Sequence, residues 1–227
     1  DYPIVLIHGF FGWGNDEMGN YSYWGGYKDL QKTLEDNGCR VFNVSVGPIS
    51  SNWDRAIEVY YQLKGGQVDY GYGHSKKYGL VQKPADKVYN GLYPEWDENH
   101  PVHLIGHSMG GQTARMLQYL LETAIFDDAH GKNKEKSKLL GESNRGWISS
   151  ITSLATPHDG STLADIVTKT FPFIQYFIGL AEVVGTNFYN FDLSQWNLIR
   201  GGDETWSSYV HRMRNHKAWE TKNISAW

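Results

Sequence analysis

Gly106-His107-Ser108-Met109-Gly110-Gly111 sets one serine hydroxyl among three glycines. It follows the apolar run Val102-His103-Leu104-Ile105 and precedes a helical pattern, Thr113-Ala114-Arg115-Met116-Leu117-Gln118-Tyr119-Leu120-Leu121. Between a short buried strand and a helix, a G-x-S-x-G pentapeptide reads as a nucleophile elbow. The serine sits on a strained turn that lifts its hydroxyl off the sheet. Glycines at the flanking positions let strand and helix approach, and the helix N-terminus beneath favours negative charge. The chemistry this arrangement suits is acyl transfer through Ser108.

Such chemistry needs two further parts. A serine hydroxyl is a weak nucleophile until a base takes its proton, and the tetrahedral intermediate needs donors aimed at its oxyanion. One donor of an elbow is the N–H of the residue after the serine, here Met109. The second is expected from the loop after the first strand, where His8-Gly9-Phe10 stands. Gly9 permits close backbone approach, and the N–H of Phe10 is the second candidate. His107 is expected to pack and hydrogen-bond rather than act as the base, since its side chain leaves the turn away from Ser108. The order of parts in such folds is nucleophile, acid, histidine. Downstream histidines are His130, His158, His211 and His216. His130, His211 and His216 lie in polar or basic stretches and read as surface residues. In His158-Asp159 the acid follows the histidine, against the expected order. No base is assigned.

The elements that must position these groups alternate strand and helix. Parallel strands are predicted at 4–7, 40–46, 102–106 and 148–154, with helices over 27–37, 55–63 and after Ser108. Ser51 or Asn52 is placed to cap the second helix, and Gly38 to stop the first. Alternation implies an α/β fold, a mostly parallel sheet with helices on both faces. At 227 residues the chain suits one such domain. Residues 64–99 are rich in Gly, Tyr and Lys with little periodicity and read as a long insertion. Residues 127–145 read as a polar insertion, including a solvated lysine-rich tract. Residues 164–184 are strongly apolar and suit either a core helix or a lid over the site, the lid candidate running to about 190, where the chain turns polar again. No convincing strand follows Leu154, so the strands that would carry the rest of a triad are expected to be missing from this chain.

Composition narrows the partners. A formal charge of -4 leaves no electrostatic footprint for nucleic acid. Cys39 is the one cysteine, so no intrachain disulfide can form. No signal peptide or membrane-spanning run is visible, and any leader is expected to have been removed or left out. Nine Trp, fifteen Tyr and nine Phe supply core and the lining of an apolar cleft.

Several segments together resemble the secreted Gram-positive lipases of staphylococci and thermophilic bacilli, bacterial lipase family I.5. They are Pro3-Ile4-Val5-Leu6-Ile7-His8-Gly9-Phe10, Tyr23-Trp24-Gly25-Gly26, Ser51-Asn52-Trp53-Asp54-Arg55-Ala56, Gly65-Gly66-Gln67-Val68-Asp69-Tyr70-Gly71, the elbow continued through Gln112-Thr113-Ala114-Arg115-Met116-Leu117, and Ala155-Thr156-Pro157-His158-Asp159-Gly160. The resemblance implies the N-terminal portion of an α/β-hydrolase catalytic domain. It implies a triacylglycerol lipase or carboxylesterase with Ser108 as nucleophile and Phe10 and Met109 as oxyanion donors. A mobile lid near 164–184, a secreted and extracellular protein, a monomer, and an ester substrate met at a lipid surface are also implied. The catalytic Asp and His, and a calcium site, would lie beyond Trp227. The chemistry would need no cofactor. The family's structural zinc uses two Asp and two His. Asp54 and His74 match the first two, while Leu80 and Asn223 stand where the second His and Asp are expected. The competing expectation is a non-catalytic binding protein, or an inactive fragment, on a hydrolase scaffold.

Overall fold

The computed structural model describes residues 1–125, 137, 139–162 and 189–216. Four strands form its centre: β1 (Ile4–Ile7), β2 (Val41–Val44), β5 (Val102–His107) and β6 (Ile148–Leu154). They make one parallel sheet in the order β2-β1-β5-β6. Ile4 pairs with Val41 on one side and His103 on the other, and Val102 pairs with Ile148. All four strands fall within a residue or two of the predicted runs.

Alternation along β1 explains why its run is apolar throughout. Val5 and Ile7 join the main core with Val44, Leu104, Ala56 and Leu117. That core lies beneath α2 (Asn52–Lys64) and α4 (Met109–Glu122). Leu6 points the other way, with Trp24, Val41 and Leu34, on the side of α1 (Leu30–Asp36). A strand covered on both faces must be apolar at every position. Ser51 caps α2 by accepting the Asp54 N–H at 3.1 Å, and Gly38 follows α1 at φ 85°. β6 is an edge strand among the described residues, and most of it is exposed.

Two insertions differ from their sequence reading. Residues 64–99 carry a short antiparallel ribbon, β3 (Gly66–Gln67) with β4 (Val88–Tyr89), and helix α3 (Tyr72–Tyr78). Two-residue strands and a two-turn helix are too short to leave a periodic signal. Within 127–145, residues 127–136 and 138 lie outside the described set. Leu139 and Leu140, however, are buried in the main core, and the Leu140 carbonyl accepts the Ile125 N–H at 2.7 Å. That end of the insertion closes the core rather than facing solvent.

The 164–190 lid candidate lies outside the described residues except for 189–190. Beyond it, a 3₁₀ turn (Leu193–Trp196) and α5 (Trp206–Arg214) build a second cluster. Ile49, Phe191, Leu193, Trp196, Leu198, Tyr209 and Met213 form it, with Phe10, Phe11 and Leu80 packed against them. This cluster stands over the loop that leaves β1. Among the described residues no helix is long and apolar enough to cross a membrane.

Candidate active site

Ser108 occupies the junction between β5 and α4 at φ 53° and ψ -125°. An L-residue with positive φ here carries local strain. Three constraints hold it there. The Ser108 N–H donates to the Leu154 carbonyl at 2.8 Å, tying the turn to the end of β6. A Cβ on Gly110 would stand 2.1 Å from the Ile7 carbonyl oxygen, and one on Gly111 would stand 2.1 Å from Thr156 Oγ1. The first turn of α4 thus presses on β1 and on the loop after β6, and only residues without side chains fit.

The loop after β1 comes to the same place. A Cβ on Gly9 would lie 2.8 Å from Ser108 Cβ and 3.0 Å from the His107 carbonyl. The structure therefore brings the His8-Gly9-Phe10 turn against the serine, as the oxyanion reading requires. The turn closes through the Gly12 N–H to the Gly9 carbonyl at 3.1 Å, and the Phe11 N–H donates to Pro48 at 3.0 Å. Phe11 holds φ 53° and packs edge-on against Phe10. Met109 is buried at the start of α4.

Polar groups that the sequence did not single out hold this turn from beneath. Arg55 on α2 is fully buried. Its guanidinium donates to the His8 carbonyl, to the Gly47 carbonyl at 2.9 Å and to Thr113 Oγ1 at 3.0 Å. Thr113 in turn bonds Asn52 Oδ1 at 2.9 Å and the Met109 carbonyl at 3.1 Å. One cation thereby joins the His8-Gly9-Phe10 loop, the end of β2 and the first turn of α4. Burial lowers the Arg55 pKa to about 10, which still leaves it charged at neutral pH. His8 is buried beside it and held neutral. Burial first, and then the Arg55 charge, push its pKa down to about 3. Val46 N–H donates to His8 Nε2 at 3.1 Å, so the ring proton sits on Nδ1, 2.8 Å from the Gly9 carbonyl.

A second buried charge group flanks the first. Lys87 Nζ contacts Glu58 Oε1 at 2.6 Å and also Asp192 Oδ2. Burial alone would lower the ammonium, but the two carboxylates raise it above the ordinary lysine value. Glu58 also accepts the Tyr70 hydroxyl at 2.5 Å and the Gly47 N–H at 2.7 Å. Arg55, Glu58 and Gln62 recur at helical spacing along α2. Gln62 bonds both the N–H and the carbonyl of Ser45. A polar stripe at i, i+3 and i+7 on a buried helix was the one sequence signal that could have revealed this scaffold. It stitches the ends of β1 and β2 in place.

Neither histidine–acid candidate near the elbow reaches Ser108. His158 is exposed and receives the Arg115 guanidinium at 3.2 Å. His211 is exposed and His216 is half-buried, while His130 lies outside the described residues. Among the described residues the Ser108 hydroxyl has no histidine partner. His107 packs and hydrogen-bonds as expected, with its Nδ1 2.5 Å from the Tyr23 hydroxyl.

Asp54 and His74 do meet. His74 Nε2 lies 2.8 Å from Asp54 Oδ1, and the ring stacks on Trp53 and touches Tyr78. Leu80 packs into the second apolar cluster, and Asn223 lies outside the described residues. Among the described residues no group of three or more His, Cys, Asp or Glu is placed to hold a metal. Asp54 and His74 are two of the four ligands that a structural zinc takes.

The chain is similar to known proteins. The family described as "Lipase-like, C-terminal domain" matches residues 1–227. Lipase 1 of Staphylococcus aureus strain MRSA252 is 38% identical over 97% of this chain, which spans about a third (33%) of that protein's length. Lipase 1 from Pelosinus fermentans superposes with a TM-score of 0.78 at 41% identity, covering 96% of this chain and 58% of that one. The Staphylococcus hyicus lipase superposes with a TM-score of 0.86 at 32% identity, covering 99% and 62%.

Proposed function

The chain belongs to the family of lipase-like C-terminal domains, and on that premise we propose that it supplies the nucleophile and oxyanion hole of a secreted lipase or carboxylesterase. The observation that carries this reading is the strained Ser108 backbone, wedged between β5, α4 and the Gly9 turn. The Ser108 oxygen attacks the carbonyl carbon of an acylglycerol or related ester while its proton passes to a base. Negative charge collects on the former carbonyl oxygen, facing the backbone N–H groups of Phe10 and Met109. Collapse expels the alcohol, which takes the proton from the base, and leaves an acyl-Ser108. Water then repeats the sequence and releases the acid. The base and its carboxylate come from outside the described residues.

A phosphonate ester that labels active serines tests the reading in the full-length protein. Stoichiometric labelling at Ser108, lost in Ser108→Ala, supports it. An intact fold with no labelling defeats it. Rates on short soluble esters against emulsified triglyceride test the interfacial part, including a lid in 164–190. A structural zinc on Asp54 and His74 would need donors from outside the described residues. Zinc near one equivalent, removable by chelation, would support it, and zinc well below one equivalent removes it.

The missing histidine partner at Ser108 among the described residues favours a second reading for this 227-residue chain on its own. On this reading the chain alone turns over esters very slowly, as an inactive fragment or binding module on a hydrolase scaffold would. Comparing ester hydrolysis by the 227-residue chain alone with that of the full-length protein separates the two readings.

A further inference from the structure

Tyr23 lies in the long loop between β1 and α1, far in sequence from the elbow. Its ring contacts His8 and His107 and meets Trp13 edge-on. Its hydroxyl makes two bonds. The Gly9 N–H can only donate, and it lies 2.9 Å from the Tyr23 oxygen. His107 Nδ1 lies 2.5 Å from the same oxygen. A hydroxyl has one donor and two acceptor sites, so it can hold both partners at once.

The resulting relay runs Gly9 N–H, Tyr23 hydroxyl, His107 Nδ1. Its first member precedes Phe10, and its last precedes Ser108. The same hydroxyl would lie 3.0 Å from a Cβ on Gly9, so a side chain at this position would crowd it. The Arg55 guanidinium holds the carbonyl side of this turn, and Tyr23 holds its N–H side. Gly9 N–H is thereby engaged in the scaffold.

We infer that Tyr23 is a positioning residue, whose hydroxyl sets the spacing between the oxyanion loop and the nucleophile by bridging Gly9 to His107. This rests on the serine-hydrolase reading above. It predicts that the loss is felt where negative charge develops, not where substrate first binds. A displacement near 1 Å at such a site is worth about a hundred-fold in rate.

The test is the rate at which a p-nitrophenyl alkylphosphonate labels Ser108 in the full-length protein. Each variant is first shown to melt cooperatively above the assay temperature. Tyr23→Phe keeps the ring and removes the hydroxyl. It is expected to label at least five-fold more slowly, with KM for a short p-nitrophenyl ester changed less than the labelling rate. A smaller loss than five-fold overturns the inference. A second pair guards against a merely structural effect. His107→Gln restores an acceptor for the Tyr23 hydroxyl, and His107→Leu does not. The Gln variant is expected to label at least five-fold faster than the Leu variant, and a smaller difference also overturns the inference. If the parent protein itself fails to label, the nucleophile reading falls and this inference with it. If the parent labels and Tyr23→Phe matches it, only the inference falls.

Discussion

Gly106 and Gly110 face each other across the elbow so closely that a Cβ on Gly106 would stand 2.3 Å from the Gly110 carbonyl carbon. Both sides of this contact are backbone, so neither can rotate away. β5 and α4 meet here with no side chain between them, and that is what turns the chain sharply enough to raise Ser108.

Alanine at either glycine should therefore be costly. Overpacking a tight site costs about 1–3 kcal/mol and sometimes more, and backbone on both sides puts Gly106→Ala and Gly110→Ala at the upper end or beyond. Gly201 provides the control: a Cβ there would meet nothing nearer than Glu204 Cβ, 3.8 Å away. Gly201→Ala should change stability by less than about 0.5 kcal/mol. Urea unfolding of the three variants checks this. Equal midpoints for Gly106→Ala and Gly201→Ala would reject the steric account.

The strain at Ser108 can be read separately from its chemistry. Positive φ costs an L-residue about 1–2 kcal/mol, and glycine escapes that cost. Ser108→Gly should melt higher than Ser108→Ala, while neither labels with a phosphonate. If the Ala variant is the more stable, the turn is not strained at this residue.

Arg55 should be intolerant even of lysine. Its guanidinium satisfies two carbonyls and the Thr113 hydroxyl at once, and an ammonium cannot reproduce that fork. Arg55→Lys is expected to lose at least about 2 kcal/mol, and Arg55→Leu about 3–5 kcal/mol, because buried acceptors are left unpaired. Thermal or urea unfolding measures both, and a Lys variant as stable as the parent would show that charge alone suffices.

His8 predicts an acid limb to stability. Its pKa falls from 6.5 in the unfolded chain to about 3 in the fold. Between these values the unfolded state binds a proton that the native state does not. Stability is therefore fully present above about pH 6.5 and is lost as pH falls towards 3, by up to about 1.4 kcal/mol per pH unit. His8→Asn removes this titration, so the stability difference between parent and variant should shift towards the variant as pH drops from 7 to 4. A difference that stays flat over this range would show that His8 is not held neutral.

The sequence was most legible where structure is local. The apolar run of β1, the Ser51 cap of α2 and the glycine spacing of the elbow each show within a few consecutive residues, and the structure has them where expected. The His8-Gly9-Phe10 turn was legible as a candidate because its position after the first strand placed it beside the elbow. Residues 64–99 were not, because α3 and the β3–β4 ribbon are too short to show a period. Leu139 and Leu140 read as part of a polar insertion, since composition around them is charged, yet they close the core. Leu80, standing where the resemblance places a second zinc histidine, packs against the second cluster.

By itself, then, the sequence determined the strand-turn-helix that presents Ser108, because Gly106 and Gly110 meet within one turn of the chain. Only the tertiary structure decided which polar residues go inside. Arg55, Glu58, Lys87 and Tyr23 look like ordinary surface residues until chain segments up to about a hundred residues apart converge (Lys87 and Asp192 are 105 apart). A buried charge or hydroxyl is tolerable only when distant partners arrive to satisfy it, and no local pattern records that arrival.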